Sequence, residues 1–330
     1  MKKLFIGLCV LVVVLACVFA ALLLTPIKLA EPYRLTITKN QSYGQIVRTL
    51  EKDKVIRNRY VMLGTAYVLK AQTKLKPGMY RFKGQVSIWQ IIKILRNEKP
   101  TQLAVTIVEG MTFAQFRQRV NRAEGLDIQT RKMSEAQILE AIGSPYKKAE
   151  GLFFPSTYMY DWGSTDLSIY KLAYSTMQKE LNQAWEERQT NLPYQTPYEL
   201  LTMASIVEKE TAHPDDRNHV AAVFVNRLKI GMRLQTDPTV IYGMGDRYQG
   251  KLYRSEWKKD SPYNTYTRYG LTPTPISLPG KAALEAAAHP SGAEYLYFVS
   301  RADGTGLSQF SHTLNEHNAA VNKFIRKRKK

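Results

Sequence analysis

Two glutamates two residues apart, Glu208 and Glu210, stand at the end of a stretch whose pattern predicts a helix. Thr196 supplies an N-cap, Pro197 the first helical position and Glu199 a carboxylate in the first turn, a combination that opens helices. Counting about 100° per residue, Glu208 falls with Leu201 and Ala204 on the apolar stripe, whereas Glu210 points to the other side. A carboxyl group on an apolar face loses hydration in its charged form, so its pKa rises toward the range where it holds and delivers a proton near neutral pH. Geometry alone leaves two readings of Glu208 open: a glycosidase-like acid, or the buried partner of a cation such as Arg227 on the next predicted helix.

Downstream, side chains of another kind gather on segments rich in turn residues. They are Leu234-Gln235-Thr236-Asp237-Pro238-Thr239, Ser261-Pro262-Tyr263-Asn264-Thr265-Tyr266, the proline-rich run Gly270 to Gly280, and Phe310-Ser311-His312-Thr313-Leu314-Asn315-Glu316-His317-Asn318. Such a set suits a sugar cleft, where rings stack on pyranose faces and amides bond N-acetyl and hydroxyl groups. Other chemistries fare worse. There is no His-Glu-x-x-His pattern, Ser205 lacks the glycine neighbours of a nucleophile elbow, and His312 and His317 are five residues apart, which splits a helix face. Neither a metal nor a cofactor is expected.

The elements that must position these groups begin with a pattern repeated three times: a short alternating strand, a Ser or Thr followed three residues later by Gln, and an apolar-periodic helix. The copies are Tyr33 to Thr38 before Ser42 and Gln45, Met79 to Phe82 before Ser87 and Gln90, and Val105 to Val108 before Thr112 and Gln115. A second helix near 58–69 makes residues 33–83 read strand, helix, helix, strand, which resembles a LysM-like module, a fold associated with N-acetyl sugar chains; a spacer that never touches sugar is the competing reading. Farther on, helices are expected near 112–124, 134–142, 166–190, 197–210 and 215–230. After Gly231 come some fifty residues of little periodicity, then a helix at 281–288, a strand at 295–300 and a last helix after Thr313. The fold class is therefore α+β.

With 330 residues, 44% of them hydrophobic, the chain holds a sizeable core. Its formal charge of +19 favours anionic surroundings, namely nucleic acid, acidic lipid or an acidic polymer. The N-terminus narrows that choice. Lys2 and Lys3 precede an uncharged apolar run from Leu4 to Leu24, which as a helix rises roughly 30 Å and crosses a bilayer core. Because the run continues past Ala20, it reads as an uncleaved anchor rather than a cleaved signal, and the lysine pair places the N-terminus in the cytoplasm. Cys9 and Cys17 both lie inside this run, so the remainder has no disulfide to make. The division expected is a stub at 1–3, a transmembrane anchor at 4–24, a LysM-like module at 25–100 and a catalytic domain at 101–330. The basic run Lys323 to Lys330 reads as a solvated tail or a contact for anionic lipid or wall polymer.

Taken in order, Ala204-Ser205-Ile206-Val207-Glu208-Lys209-Glu210, the Leu-Gln-Thr-Asp-Pro-Thr block, Tyr-Asn-Thr-Tyr, Gly-Leu-x-Pro-x-Pro-Ile and the Glu-His-Asn end resemble the endolytic murein transglycosylase family, the YceG-like group. Glu150-Gly151-Leu152-Phe153-Phe154-Pro155 and Tyr158 fit it too, whereas Thr272, Thr274 and Leu278 depart from its usual proline-rich loop. The resemblance implies a single-pass protein of the bacterial cytoplasmic membrane with its catalytic domain on the outer side. It implies peptidoglycan strands as substrate, synthases such as penicillin-binding proteins as partners, and no nucleic acid. It makes Glu208 the catalytic acid/base that cleaves the β-1,4 bond between N-acetylmuramic acid and N-acetylglucosamine, leaving 1,6-anhydro ends and terminating glycan growth. Gln235, Asp237, Tyr263, Asn264, Tyr266, Ser311, Glu316 and Asn318 are the expected substrate-binding residues. Two alternatives stay open: a lysozyme-like hydrolase using Glu208 with Asp237 as second carboxylate, and a non-catalytic wall-binding adaptor.

Overall fold

The structure, a computed structural model, describes residues 2–38 and 40–326. Most of the basic tail, from residue 327 on, lies outside the described residues. Helix α1, Lys2–Leu24, contains the expected apolar run: Phe5–Leu24 has a mean hydropathy of 3.2 with none of it buried, long and apolar enough to cross a membrane. The rest is mixed helix and sheet, in two compact units. One comprises residues up to 104 with 124–127 and 159–164; the other comprises 105–123, 128–158 and 165 onward.

In the first unit, β1 (Ile27–Lys28) pairs antiparallel with β4 (Gln85–Val86), and β2 (Tyr33–Ile37) with β3 (Gly78–Phe82) in the register Tyr33 to Phe82 through Ile37 to Gly78. Between β2 and β3 run α2 (Tyr43–Lys52) and α3 (Arg59–Val68), and α4 (Ile88–Asn97) follows β4. Serines 42 and 87 start α2 and α4 with complete capping boxes: each hydroxyl accepts from the backbone N–H of the Gln three residues on, whose side chain accepts from the serine N–H. Spacing then decides burial. Ile46, Val47 and Leu50 of α2, with Ile88, Ile91, Ile92 and Leu95 of α4, turn one face of each helix onto Leu35, Ile37, Tyr80 and Phe82 of the sheet. The end of α1 joins the same core, since Leu22 and Leu23 pack against it.

The third capping box, Thr112 with Gln115, opens α5 (Phe113–Asn121) as expected, but the strand before it, β5, runs Leu103–Thr106, two residues earlier than the alternation suggested, and pairs with β6 (Thr157–Tyr160). A fourth box, Ser134 with Gln137, opens α6 (Glu135–Ala141). The second unit continues with α7 (Asp166–Glu187), α8 (Pro197–Glu210), α9 (Pro214–Lys229), α10 (Asp237–Met244), α11 (Arg254–Lys258), α12 (Lys281–Ala288), the hairpin β7 (Tyr297–Ser300) and β8 (Ser308–Ser311), and α13 (Leu314–Val321). Helices α10 and α11 sit inside the stretch expected to be aperiodic. Thr236, Asp237 and Pro238 place an N-cap residue, a first-turn carboxylate and a proline at the start of α10, a start signal that outweighs weak apolar periodicity in so short a helix.

At the centre of this unit lies α8, packed against α7, α9, α10 and α12. Every residue from Leu200 to Val207 is buried. The helix therefore has no solvent-facing stripe in its middle, which bears directly on the two acids at its end.

Candidate active site

Glu208 emerges half-buried just past the buried stretch of α8. Its Oε2 accepts the backbone N–H of Gly280, the N-cap residue of α12, at 3.0 Å. Burial holds its carboxyl above the ordinary range; the negative charge of Glu109 pushes the same way, while the Gly280 hydrogen bond, Arg217 and Lys209 oppose it. A carboxyl so placed keeps its proton to a higher pH than a solvated glutamate, the property a general acid needs.

Contacts between distant segments put these groups together. Ser205, one turn before Glu208, accepts the N–H of Ile276 on its hydroxyl at 2.9 Å, and the Ser277 hydroxyl donates to the Ser205 carbonyl at 3.1 Å. The proline-rich run is thus stitched to α8. On its other side, Gly110 N–H donates to Leu278 O at 2.9 Å and Leu278 N–H to Met111 O at 2.7 Å, which brings Glu109 alongside. Gly280 completes the approach: a Cβ there would lie 1.9 Å from Glu109 Oε1, far inside contact distance. Lys209 closes the edge by donating from Nζ to Gly110 O at 3.2 Å. Within the proline-rich run, Thr272 donates to Thr274 O and Thr274 to Pro275 O, each at 2.8 Å.

Glu210 corrects the helical-wheel expectation. It also points inward, with its carboxyl accepting from the Thr236 hydroxyl at 2.5 Å and held above its ordinary pKa by burial and by Asp237, against the pull of Arg227. The wheel assumes one wet face, and α8 is covered on all sides over its buried stretch. Arg227 is 7% exposed, with its guanidinium on the carbonyls of Leu296 at 2.7 Å and Leu234 at 2.6 Å; the acid whose charge it offsets is Glu210. Arg227 thus acts on Glu210 through its charge alone, its hydrogen bonds going to backbone carbonyls. Glu210 is also the acid on the wall of a cleft of about 560 Å³, lined with His213, Phe298, Ser300, Gly306 and Ser308 between the end of α8 and the β7–β8 hairpin.

The expected substrate-binding residues divide. Asp237 and Tyr266 meet, with the Tyr266 hydroxyl donating to Asp237 Oδ1 at 2.6 Å; Thr239 and Thr265 hydroxyls lie 2.9 Å apart beneath them. Gln235 is exposed on a left-handed backbone (φ 50°). Tyr263 lies edge-on to Tyr242 with ring centres 4.8 Å apart, and its hydroxyl is 2.9 Å from that of Thr274. Asn264 is 1% exposed: its amide donates to the carbonyls of Glu256, Trp257 and Lys259, and its oxygen accepts from Tyr266 N–H. That makes it the organiser of its loop. Ser311 is buried at the end of β8, and Glu316 caps α13, accepting from His312 N–H at 2.9 Å. Asn318 is exposed on α13.

Two acids escaped the sequence reading of the site. Glu109, in Val108-Glu109-Gly110, left a faint signal: a charge and a glycine between a strand and a capping box, where Gly110 takes φ 75°. Glu150, 7% exposed, accepts from Phe113 N–H at 2.9 Å and the Tyr242 hydroxyl at 3.1 Å, and burial raises its pKa to about 7. It joins the first turn of α5 to α10. Among the described residues no His, Cys, Asp and Glu cluster has the arrangement of a metal site.

Comparison with known proteins agrees with this architecture. Residues 35–323 match the model of the YceG-like family. Over 178 residues the chain is 42% identical to the endolytic murein transglycosylase of Bacillus subtilis, covering 53% of this chain and 48% of that protein. Over 321 residues it is 30% identical to the endolytic murein transglycosylase of Streptococcus pneumoniae, covering 86% of this chain and 57% of that one. The chain thus spans about half the length of the curated relatives it matches. A crystal structure of a Listeria monocytogenes protein described as yceG-like superposes with a TM-score of 0.55 at 30% identity, over 89% of this chain and 99% of that one. On the span of the family match and the agreement of fold, the chain belongs to the YceG-like family.

Proposed function

We propose that this protein is a membrane-anchored endolytic transglycosylase that cuts peptidoglycan strands between N-acetylmuramic acid and N-acetylglucosamine, with Glu208 as its acid and base. The observation that carries the reading is the setting of Glu208: half-buried, held by one backbone N–H, with its pKa raised by burial and by Glu109. The names of the two relatives supply the substrate class. In this mechanism the protonated carboxyl gives its proton to the oxygen leaving C1 of N-acetylmuramic acid. As a carboxylate it then takes the proton of the C6 hydroxyl, whose oxygen bonds to C1 and closes the 1,6-anhydro ring. No water enters, so one carboxyl suffices. Cleavage within a growing strand ends its elongation, and the apolar α1 keeps the enzyme where strands emerge, in the company of the synthases that make them.

Mutation and product mass test this together. Glu208→Gln keeps the side chain's shape and removes the titrating proton, and purified glycan strands should then remain uncut. With the unaltered protein, new ends should weigh one water less than reducing ends. A second reading has its own support: Glu210 lines the cleft and feels the charge of Asp237, so a hydrolysis that uses two carboxylates is the competing mechanism. Reducing ends, with activity lost in Glu210→Gln and kept in Glu208→Gln, would establish that reading and overturn the first.

A further inference from the structure

Charge is distributed unevenly along this chain. Residues 25–104 contain sixteen Lys and Arg against four Asp and Glu, whereas residues 105–322 contain twenty-three against twenty-four. The excess therefore sits in the module that follows α1 directly. Two of its helices, α3 and α4, pack against α1. Since Phe5 to Ala21 are exposed and Leu22 and Leu23 pack into the module core, the last turns of α1 are where the two helices lie.

That position fixes a depth. Phe5–Leu24 is 20 residues long, roughly 30 Å as a helix, the thickness of the hydrocarbon layer. Its last turns are then at the edge of that layer, and whatever packs beside them is at headgroup level.

The outer face of α3 has the composition of such a level. Tyr60, Tyr67 and Val68 are 68%, 77% and 80% exposed, and Gly64 between them is exposed too. One face of a ten-residue helix thus presents two tyrosines and a valine to its surroundings, an arrangement that water does not reward. Cations flank it: Arg57 before the helix, Lys70 and Lys74 after it, all exposed. On α4, Trp89 is 41% exposed, with Lys93 one turn on. Aromatic rings prefer the membrane–water interface, and lysine and arginine extend from it to anionic headgroups.

We propose that the exposed face of α3 docks on the membrane surface beside α1, with Tyr60, Tyr67 and Val68 at the level of the interface and Arg57, Lys70 and Lys74 on anionic phospholipid headgroups. The proposal rests on the reading of α1 as an anchor. It turns the anchor from a tether into a mount, because the module is held at the bilayer by two contacts instead of one.

The test uses the full chain in bilayer discs of phosphatidylcholine with phosphatidylglycerol, at low salt, with one fluorophore per protein. Cys17 alone, in a Cys9→Ala background, reports the anchor through quenching by acyl-chain spin-labelled lipid. Val68→Cys and, as a control on the same module, Lys83→Cys, each in a Cys9→Ala, Cys17→Ala background, report docking through headgroup spin-labelled lipid. Quenching several-fold stronger at position 68 than at 83, and reduced when phosphatidylglycerol is omitted or salt is raised, is the expected result. Quenching at Cys17 with equal quenching at 68 and 83 overturns the docking and leaves the anchor standing. Absence of quenching at Cys17 overturns the anchor, and the docking with it. A probe at 68 that responds only to added peptidoglycan assigns the face to the polymer and overturns the lipid proposal.

Discussion

The helices of the N-terminal module and the helix that bears Glu208 obey different rules. In α2 and α4 one face is buried and the other wet, so apolar spacing reports orientation faithfully. In α8 eight consecutive residues are buried, and spacing reports nothing about direction. The comparison teaches where a sequence argument loses its footing: a helix wheel needs solvent on one side, and the helix that bears Glu208 has none over most of its length. What distinguishes Glu208 from Glu210 is its neighbours, Glu109 and Gly280 against Thr236, Asp237 and Arg227.

The sharpest way to break that distinction is to exchange the two acids' fates. Glu208→Gln is expected to lower the rate of strand cleavage about 10²–10⁴-fold, with a smaller loss for Glu210→Gln, as read by product release from purified strands; equal losses would erase the distinction. Next in size is a change on the module side. Ile91→Ala removes a fully buried side chain of α4 and should cost about 2–5 kcal/mol, measured by denaturant unfolding, while the product keeps its 1,6-anhydro ends.

A third prediction concerns Glu150, whose pKa of about 7 stands above its ordinary 4.5. Because the folded state favours the neutral carboxyl, the stabilisation is complete below 4.5 and is lost as pH rises through about 7. Glu150→Gln cannot ionise, so relative to it the parent should lose at most about 3 kcal/mol across that window, seen as converging or crossing melting temperatures. The smallest effect on folding belongs to Gly280→Ala. Its Cβ displaces the Glu109 carboxylate, and alanine in place of the N-cap glycine of α12 costs about 1 kcal/mol. With Glu109 moved, Glu208 loses one of the influences that raise its pKa, so the alkaline limb of kcat/KM should move to lower pH. An unmoved limb would mean that Glu109 does not act on Glu208.

Much of the fold was legible in the sequence for local reasons. The capping pairs Ser42 with Gln45, Ser87 with Gln90 and Thr112 with Gln115 interact within one turn, and Thr196-Pro197 sets the start of α8 without reference to distant residues. The site was less legible because it is made by chain segments far apart. Glu109 and Gly280 reach Glu208 through the Ser205–Ile276 and Gly110–Leu278 hydrogen bonds, pairings that no short pattern encodes. Asn264 shows the opposite limit. Its residue type suits a sugar cleft, yet three carbonyls of its own loop take up its amide, a demand visible only once the loop is closed. For α10 the signal was present in Thr236-Asp237-Pro238 and was outweighed by poor periodicity.

Gly280 also has a meaning for how this protein can diverge. A Cβ at position 280 has to push aside the end of the Glu109 side chain, so a change there costs folding little and is felt at the carboxylate beside Glu208. Any side chain there expels Glu109, and any shortening of Glu109 frees position 280 from its constraint. A side chain at position 280, about 170 residues away in sequence, should therefore be commoner in those descendants of this gene whose residue 109 is short.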